Sequence, residues 1–209
     1  LEMIKKSLFV LSIIVVDNNS KNPLILEKEK YKNNILIIHN NKNLGFSGGN
    51  NVGIKRALEH HADYILLLNS DTLVKEDFLE KLVQVLESKD EIGLVVPKIY
   101  FAKGFEFHKN RYKKADLGKV IWYAGGLFDW KNVIGHHRGV DKVDNGQYDT
   151  AQETEYATGC CVLIKKQVFE KVGFLDERYF LYYEDSDLNI RAQKKGFSIM
   201  YIPNSVIWH

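Results

Sequence analysis

The sequence carries no large surplus of charge of either sign. Twenty-nine Lys and Arg residues stand against twenty-seven Asp and Glu residues, which leaves a formal net charge of +2 at neutral pH. Such a balance supplies no strong field that would attract the phosphate backbone of DNA or an anionic lipid surface. We therefore expect no nucleic acid among the partners of this chain.

Cysteines and long hydrophobic runs are also scarce. The two cysteines, Cys160 and Cys161, are adjacent and cannot form an ordinary bridge between distant segments, so we expect them to be core residues of a reduced, cytoplasmic protein. The apolar run 8–16 is about half as long as a membrane span requires, and no signal-peptide pattern or internal repeat is present. A length of 209 residues fits one domain, which we expect to cover residues 1–209.

Short apolar segments alternate with segments of helical periodicity, which is typical of a doubly wound, mostly parallel sheet of the α/β class. We predict strands at 9–16, 35–38, 64–68, 92–97, 159–165 and 197–202, and helices at 23–31, from residue 45, and at 75–87, 166–172 and 184–195. Pro203 and Asn204 predict a turn after the last strand. The region 98–156 is rich in Gly, Lys and aromatic residues and predicts variable loops and hairpins.

One predicted strand, 64–68, stops abruptly at Asn69-Ser70-Asp71-Thr72. In open α/β sheets, ligands bind beyond the carboxyl ends of the strands, and a carboxylate there is suited to a hard divalent cation. The alternative interpretation is that these four residues only turn the chain and cap the following helix.

Three carboxylates, Glu184, Asp185 and Asp187, crowd into four residues at the predicted start of the helix 184–195. They can serve as a helix cap, with Asp187 pairing with Arg191 one turn later. They also exceed what a cap needs, and the neighbouring aromatic residues of 179–183 would form an apolar wall that raises a carboxylate pKa toward that of a general base.

Histidines are placed in two different patterns. His209 follows the last strand, and if the sheet brings it beside Asp71, imidazole and carboxylate together suit Mn²⁺ or a similar ion. Otherwise, it is an ordinary polar residue. The pairs His60-His61 and His136-His137 are predicted to lie at the surface, because adjacent side chains on a strand or helix diverge.

Five ordered motifs, VVDNNS (15–20), NLGFSGGN (43–50), LNSDT (68–72), TGCC (158–161) and YEDSDLNIR (183–191), resemble those of family 2 inverting glycosyltransferases of the GT-A fold. The rhamnosyltransferase and galactofuranosyltransferase-like branch is the most similar. Relative to that family, the first strand–helix unit is missing, and the chain also ends early. We therefore expect a domain truncated at both ends, with peripheral membrane association through the missing segments.

The resemblance implies a role for each matching residue. Asp17 would contact the nucleotide, with Asn43, Gly45, Gly49 and Asn69 also on the nucleotide-sugar side. Asp71 and His209 would bind a divalent cation, Mn²⁺ or Mg²⁺. Asp185 would be the general base, with Glu184 and Asp187 as supporting or acceptor-binding carboxylates.

The implied reaction is a single displacement with inversion, from a UDP- or dTDP-sugar to a glycan or lipid-linked saccharide, at the inner face of the cell membrane. The aromatic residues of 98–156 either shape the acceptor side or form the core of an inserted hairpin. A non-catalytic nucleotide-sugar-binding module and a sugar-phosphate nucleotidyltransferase are the alternative functions. The latter should carry a phosphate loop rich in Gly, Arg and Lys after its first strand, and the sequence has none.

Overall fold

The first half of the chain alternates strands with helices, as predicted. The computed structural model describes residues 10–23, 25 and 35–209. In order, the elements are β1 (Ile13–Asp17), β2 (Ile35–His39), α1 (Gly45–Glu59), β3 (Tyr64–Leu68), β4 (Leu73–Val74), α2 (Phe78–Leu86) and β5 (Ile92–Tyr100). The helix predicted at 23–31 lies almost entirely outside the described residues, as does the start of the strand predicted at 9–16.

The second half contains more strands than the sequence predicts. The elements are β6 (Ile121–Tyr123), β7 (Gly126–Asp129), β8 (Ile134–His137), β9 (Gln152–Glu153), β10 (Cys161–Lys165), α3 (Lys166–Val172), α4 (Glu184–Lys194) and β11 (Ser198–Trp208). The predicted turn at Pro203-Asn204 is wrong, because β11 continues through it. Pairing with β5 is interrupted between Ile202 and Val206 and then resumes.

The main sheet has the strand order β3-β10-β5-β11-β4. In addition, β6 pairs with β5 and β9 pairs with β11, while β1 and β2 form a separate parallel pair. β11 runs parallel to β5, whereas β10 lies antiparallel between β3 and β5. The predicted α/β class is confirmed, but β10 breaks the parallel order inside the sheet, and the short strands β4, β6 and β9 also pair antiparallel to their neighbours. An all-apolar strand suits burial on both faces whichever way it runs, so its pattern carries no direction.

The core lies between the sheet and its helices. The apolar residues of α2 follow helical spacing, and the helix buries all five of them, Phe78, Leu79, Leu82, Val83 and Leu86. It packs against β5 and β11, and every residue of β5 except Tyr100 is buried. Fully burying one such large apolar side chain contributes about 1.5–3 kcal/mol, so this layer supplies much of the stability.

The region 98–156 is attached firmly to β5. β6 pairs with the end of β5, and β7 and β8 form an antiparallel hairpin, as the predicted hairpins require. Lys98, which is buried, donates hydrogen bonds to Asp144 (2.7 Å) and Asp149, and Tyr100 donates to Asp144 as well. Although burial by itself raises the pKa of Asp144, these hydrogen bonds lower it below its ordinary value.

Cys160 and Cys161 are buried free thiols at the start of β10. Burial, with the nearby charge of Asp71, raises the pKa of Cys160 to about 12, which leaves the thiol unreactive at neutral pH. Among the helices that the described ranges contain, none is long and apolar enough to cross a membrane.

Candidate active site

The structure brings Asp71 and His209 together at one end of the sheet. Asp71 lies between β3 and the short strand β4, and β4 pairs with β11 through Val74–Ile207 and Leu73–Trp208. His209 follows β11 directly, and its Nε2 lies 3.4 Å from Oδ1 of Asp71. The sheet therefore brings the two side chains together, which is the condition on which the sequence-based interpretation of a cation site depends.

Nε2 of His209 and Oδ1 of Asp71 are spaced closely enough to bind one divalent cation, but they would supply only part of its coordination. Ligand bonds of about 2.1 Å at right angles place neighbouring donor atoms about 3 Å apart, close to the distance between the two side chains. Over residues 10–23, 25 and 35–209, no group of three His, Cys, Asp or Glu side chains converges on a common point. A cation held here would take its remaining ligands from a bound substrate and from water.

Asp185 is tied to the same end of the sheet by its hydrogen bonds. Its Oδ2 accepts the backbone N–H of Gly159 at 3.0 Å, and its Oδ1 accepts that of Ser186 at 2.7 Å. The next residue along, Cys160, accepts the N–H of Asn69 through its carbonyl at 2.9 Å. The segment 159–160 therefore links the candidate base to the segment that carries Asp71.

Glu184 has a different environment. Its side chain is buried, and its Oε2 has no hydrogen-bond partner among the residues that the structure describes. Burial raises the pKa of Glu184, and the charge of Asp185 raises it further. Both effects penalise the ionised form, because a buried carboxylate loses hydration and lies beside a like charge.

Asp187 has the partner that the structural alternative predicts. Arg191 contacts its Oδ2 with Nε at 2.8 Å and Nη2 at 2.7 Å, one helical turn away. Arg191 also donates to the carbonyls of Val172 and Phe174, which fixes α4 to the end of α3. This contact set favours a structural role for Asp187, and its predicted role toward the acceptor stays a prediction.

The residues predicted for the nucleotide side gather where β1 ends. Asp17 is buried, and its carboxylate accepts the Ser20 N–H at 2.8 Å and contacts Nδ1 of His39 at 3.1 Å. Asn43 accepts hydrogen bonds from Asn18 and from the N–H of Gly45, both at 2.9 Å. Asn18 also accepts the N–H of Leu44, so this residue, which the sequence does not single out, joins β1 to the start of α1.

The glycines at the start of α1 allow close packing. Gly45 has a left-handed backbone (φ +74°), and a Cβ there would lie 2.4 Å from the carbonyl oxygen of Phe180. A Cβ on Gly49 would lie 3.1 Å from the Asn18 side chain. The N–H of Phe46 already donates to the Phe180 carbonyl at 2.7 Å. Backbone approach to a phosphate, as the resemblance implies, remains a prediction for this turn.

The aromatic segment 179–183 lies at the surface beside α4. Its side chains are exposed, so the apolar wall predicted from them does not enclose Glu184. Its backbone is held by α1, because the Ser47 hydroxyl and the Phe46 N–H donate to the carbonyls of Tyr179 and Phe180. Tyr182 and Tyr183 both have left-handed φ values, 71° and 70°, directly before the carboxylates. Such a conformation costs a residue with a side chain about 1–3 kcal/mol.

The prediction that His136 and His137 both lie at the surface is wrong for His137. The alternation of β8 exposes His136 but packs His137 against Trp122 and Tyr123, with ring centroids 4.3 and 5.1 Å apart. Trp122 in turn contacts His209, with the ring centroids separated by 4.7 Å. The 98–156 region therefore contacts the candidate site through Trp122.

The sequence is similar to those of known glycosyltransferases. The family model for glycosyl transferase family 2 matches residues 3–173. The chain is 26% identical over 191 residues to the low-salt glycan biosynthesis hexosyltransferase Agl10 of Haloferax volcanii. The matched residues cover 91% of this chain and 56% of that protein. It is 22% identical over 206 residues to the N-acetylglucosaminyl-diphospho-decaprenol L-rhamnosyltransferase of Mycobacterium tuberculosis, covering 95% and 66%. The chain thus spans between about half and two thirds of the length of these relatives.

A comparison of structures confirms the predicted GT-A fold. The crystal structure of GalNAc-T7 with UDP, GalNAc and Mn²⁺ matches 95% of this chain and 37% of its own, with a TM-score of 0.71. The sequence identity is 15%, so the likeness establishes the fold alone.

We predict that Gly45→Ala destabilises the protein more than Gly196→Ala does. Both glycines have positive φ values, +74° and +86°, but a Cβ on Gly196 would meet nothing within 4 Å. Gly196→Ala should therefore cost only the backbone penalty of the left-handed conformation, about 1–2 kcal/mol. Gly45→Ala should cost about 1–3 kcal/mol more, because the new methyl group collides with the Phe180 backbone. Urea unfolding measures both, and equal losses would contradict the close approach.

We also predict that the free energy of unfolding of Glu184→Gln, relative to that of wild type, increases as the pH rises. Because the folded-state pKa of Glu184 lies above its ordinary value of 4.5, the neutral carboxyl contributes stability at low pH, and this contribution is lost as the pH rises through the folded-state pKa. Glutamine cannot ionise. The free energy of unfolding of the variant relative to wild type should therefore be higher at pH 7 than at pH 4, as measured by urea unfolding.

Glu170→Gln, at an exposed position of α3, is the matched control and should show little change between the two pH values. A difference between Glu184→Gln and wild type that is the same at pH 4 and pH 7 would refute the burial argument.

Proposed function

The chain belongs to glycosyl transferase family 2, and we propose on that basis that it transfers a sugar from a UDP- or dTDP-linked donor to a hydroxyl group of an acceptor, with inversion. The observation that carries this proposal is the arrangement of three side chains. Asp71 and His209 contact each other, and Asp185 is linked to the Asp71 segment through Gly159 and Cys160. A pair suited to a cation and a carboxylate suited to a base thus lie at one end of the sheet.

In this proposal Asp185 is the general base. The N–H groups of Gly159 and Ser186 hold its carboxylate in one orientation, which a base needs in order to meet the acceptor hydroxyl. Asp185 takes the hydroxyl proton, and the acceptor oxygen forms a bond to the anomeric carbon as the bond to the diphosphate breaks on the opposite face. A positioned base contributes about 10²- to 10⁴-fold to such a reaction.

Asp71 and His209 would hold the divalent cation, Mn²⁺ or Mg²⁺, on the donor diphosphate. When bound, the cation neutralises the negative charge that develops on the leaving group. Because no third His, Cys, Asp or Glu side chain joins them in the described ranges, the diphosphate oxygens would supply much of the remaining coordination. On the donor side, Asp17 and Asn43 lie where β1 meets α1, and Asn69 lies next to the cation-binding segment.

The acceptor is a glycan or a lipid-linked saccharide. One relative is by its name a transferase that acts on a diphospho-decaprenol-linked sugar. We propose that 98–156 forms the acceptor side, since its residue Trp122 already covers His209. The chain would act as a single domain in the cytoplasm, at the inner face of the membrane, in the synthesis of cell-surface glycans.

We predict that Asp185→Asn lowers transfer by about 10²- to 10⁴-fold, because the amide cannot accept the proton. Donor binding should change by less than about twofold, since the side chain keeps its shape. Transfer is measured as nucleotide release from a panel of UDP- and dTDP-sugars with lipid-linked and soluble acceptors, and binding is measured by calorimetry.

Asp90→Asn, at an exposed turn before β5, controls for the loss of one negative charge and should transfer normally. Near-normal transfer by Asp185→Asn would refute the assignment of the base. Donor binding by the wild-type chain with neither transfer nor hydrolysis would favour the alternative of a non-catalytic binding module.

A further inference from the structure

His137 is a candidate-site residue that belongs to none of the five motifs. It ends β8, and its imidazole packs between the rings of Trp122 and Tyr123, with Tyr156 farther away at 6.1 Å. Its neighbour His136 points to solvent on the other face of the strand. In the β7–β8 hairpin, the side chain of His137 therefore packs against the protein, while that of its neighbour His136 is exposed.

The hydrogen bonding of His137 fixes its tautomer. Its Nδ1 lies 3.1 Å from the carbonyl oxygen of Trp122, and because a carbonyl can only accept, Nδ1 carries the proton. Burial lowers the pKa of His137, an effect that the Trp122 carbonyl and the charge of Asp185 oppose only in part. The ring is thus neutral at neutral pH, and Nε2 presents a lone pair. Within the described part of the chain, nothing donates a hydrogen bond to Nε2.

The position of His137 relates it to both halves of the proposed chemistry. One aromatic ring, that of Trp122, separates it from His209, the candidate cation ligand. The charge of Asp185, the candidate base, also acts on the His137 ring. In a single displacement, the group that lies between the leaving diphosphate and the base is the sugar being transferred.

We propose that Nε2 of His137 accepts a hydrogen bond from a hydroxyl group of the transferred sugar and thereby contributes to donor specificity. This inference rests on the proposed function and deepens it. A site built to pair with a hydroxyl group discriminates strongly against a donor that lacks it, because the bound donor excludes water from the acceptor and then leaves it without a partner.

The test compares two ligands and four variants in the presence of Mn²⁺. The ligands are the sugar nucleotide that the wild-type protein turns over, chosen from UDP-glucose, UDP-galactose and dTDP-rhamnose, and the matching nucleoside diphosphate. His137→Phe should weaken binding of the sugar nucleotide about tenfold and leave binding of the diphosphate within twofold of wild type. His136→Phe, on the exposed face of the same strand, should change neither.

Two conservative variants separate the two ring nitrogens. His137→Asn carries an amide near the position of Nδ1 and can still donate to the Trp122 carbonyl, so it should resemble His137→Phe. His137→Gln carries its amide near the position of Nε2 and should recover part of the lost affinity. Donors with single deoxy positions should include one that binds wild type and His137→Phe equally.

An equal loss of affinity for the sugar nucleotide and the diphosphate would overturn the inference, because it would mean that His137 only packs. Unchanged affinity for both ligands in His137→Phe would overturn it as well. If the wild-type protein transfers no sugar from any donor, the proposed function fails and the inference fails with it. Normal transfer by wild type and by His137→Phe refutes the inference alone.

Discussion

Parallel pairing between β5 and β11 is the interaction on which the candidate site depends. The two strands pair from Ser198–Ile92 to Trp208–Tyr100, and the backbone of His209 continues the ladder by donating to Tyr100 and accepting from Ala102. Because β4 pairs with the end of β11, the same ladder brings the Asp71 segment toward His209. The pairing of β11 with the buried strand β5 thus sets the distance between Asp71 and His209, which are 138 positions apart in the sequence.

A second set of contacts holds the candidate base. Asp185 is oriented by Gly159, and α4 is anchored through Arg191 to the end of α3. The segment before α4 is held from α1, where Asn51 bonds to the backbone of Leu175 in both directions. The left-handed Tyr182 and Tyr183 lie between these anchors, so the packing around them maintains a conformation that is unfavourable by itself. Rigid support on both sides of a site is what a positioned base requires.

The sequence predicts those features that repeat along the chain or depend on near neighbours. The buried face of α2 follows from its helical spacing, and α4 begins at its acidic cluster, as predicted. Gly196, with a left-handed φ of 86°, follows the end of that helix. Features that depend on distant partners do not follow from spacing. The direction of β10, the continuation of β11 through Pro203 and the packing of His137 on Trp122 are all set by neighbours far away in the sequence. The hydrogen bonds of Asn18 and Asn51 could not be predicted for the same reason, since nothing in the local sequence indicates which distant backbone group a polar side chain will bond.

The central claim is that Asp71 and His209 hold a divalent cation together with a nucleoside diphosphate. It is tested most directly by titrating Mn²⁺ into the wild-type protein and into His209→Ala, with and without saturating UDP or dTDP, using the electron paramagnetic resonance signal of free Mn²⁺. Two protein ligands alone should bind Mn²⁺ weakly, and the nucleotide should tighten binding in wild type. In His209→Ala, binding in the presence of nucleotide should be at least about tenfold weaker than in wild type. Equal Mn²⁺ affinity of the two proteins in the presence of nucleotide would contradict the account.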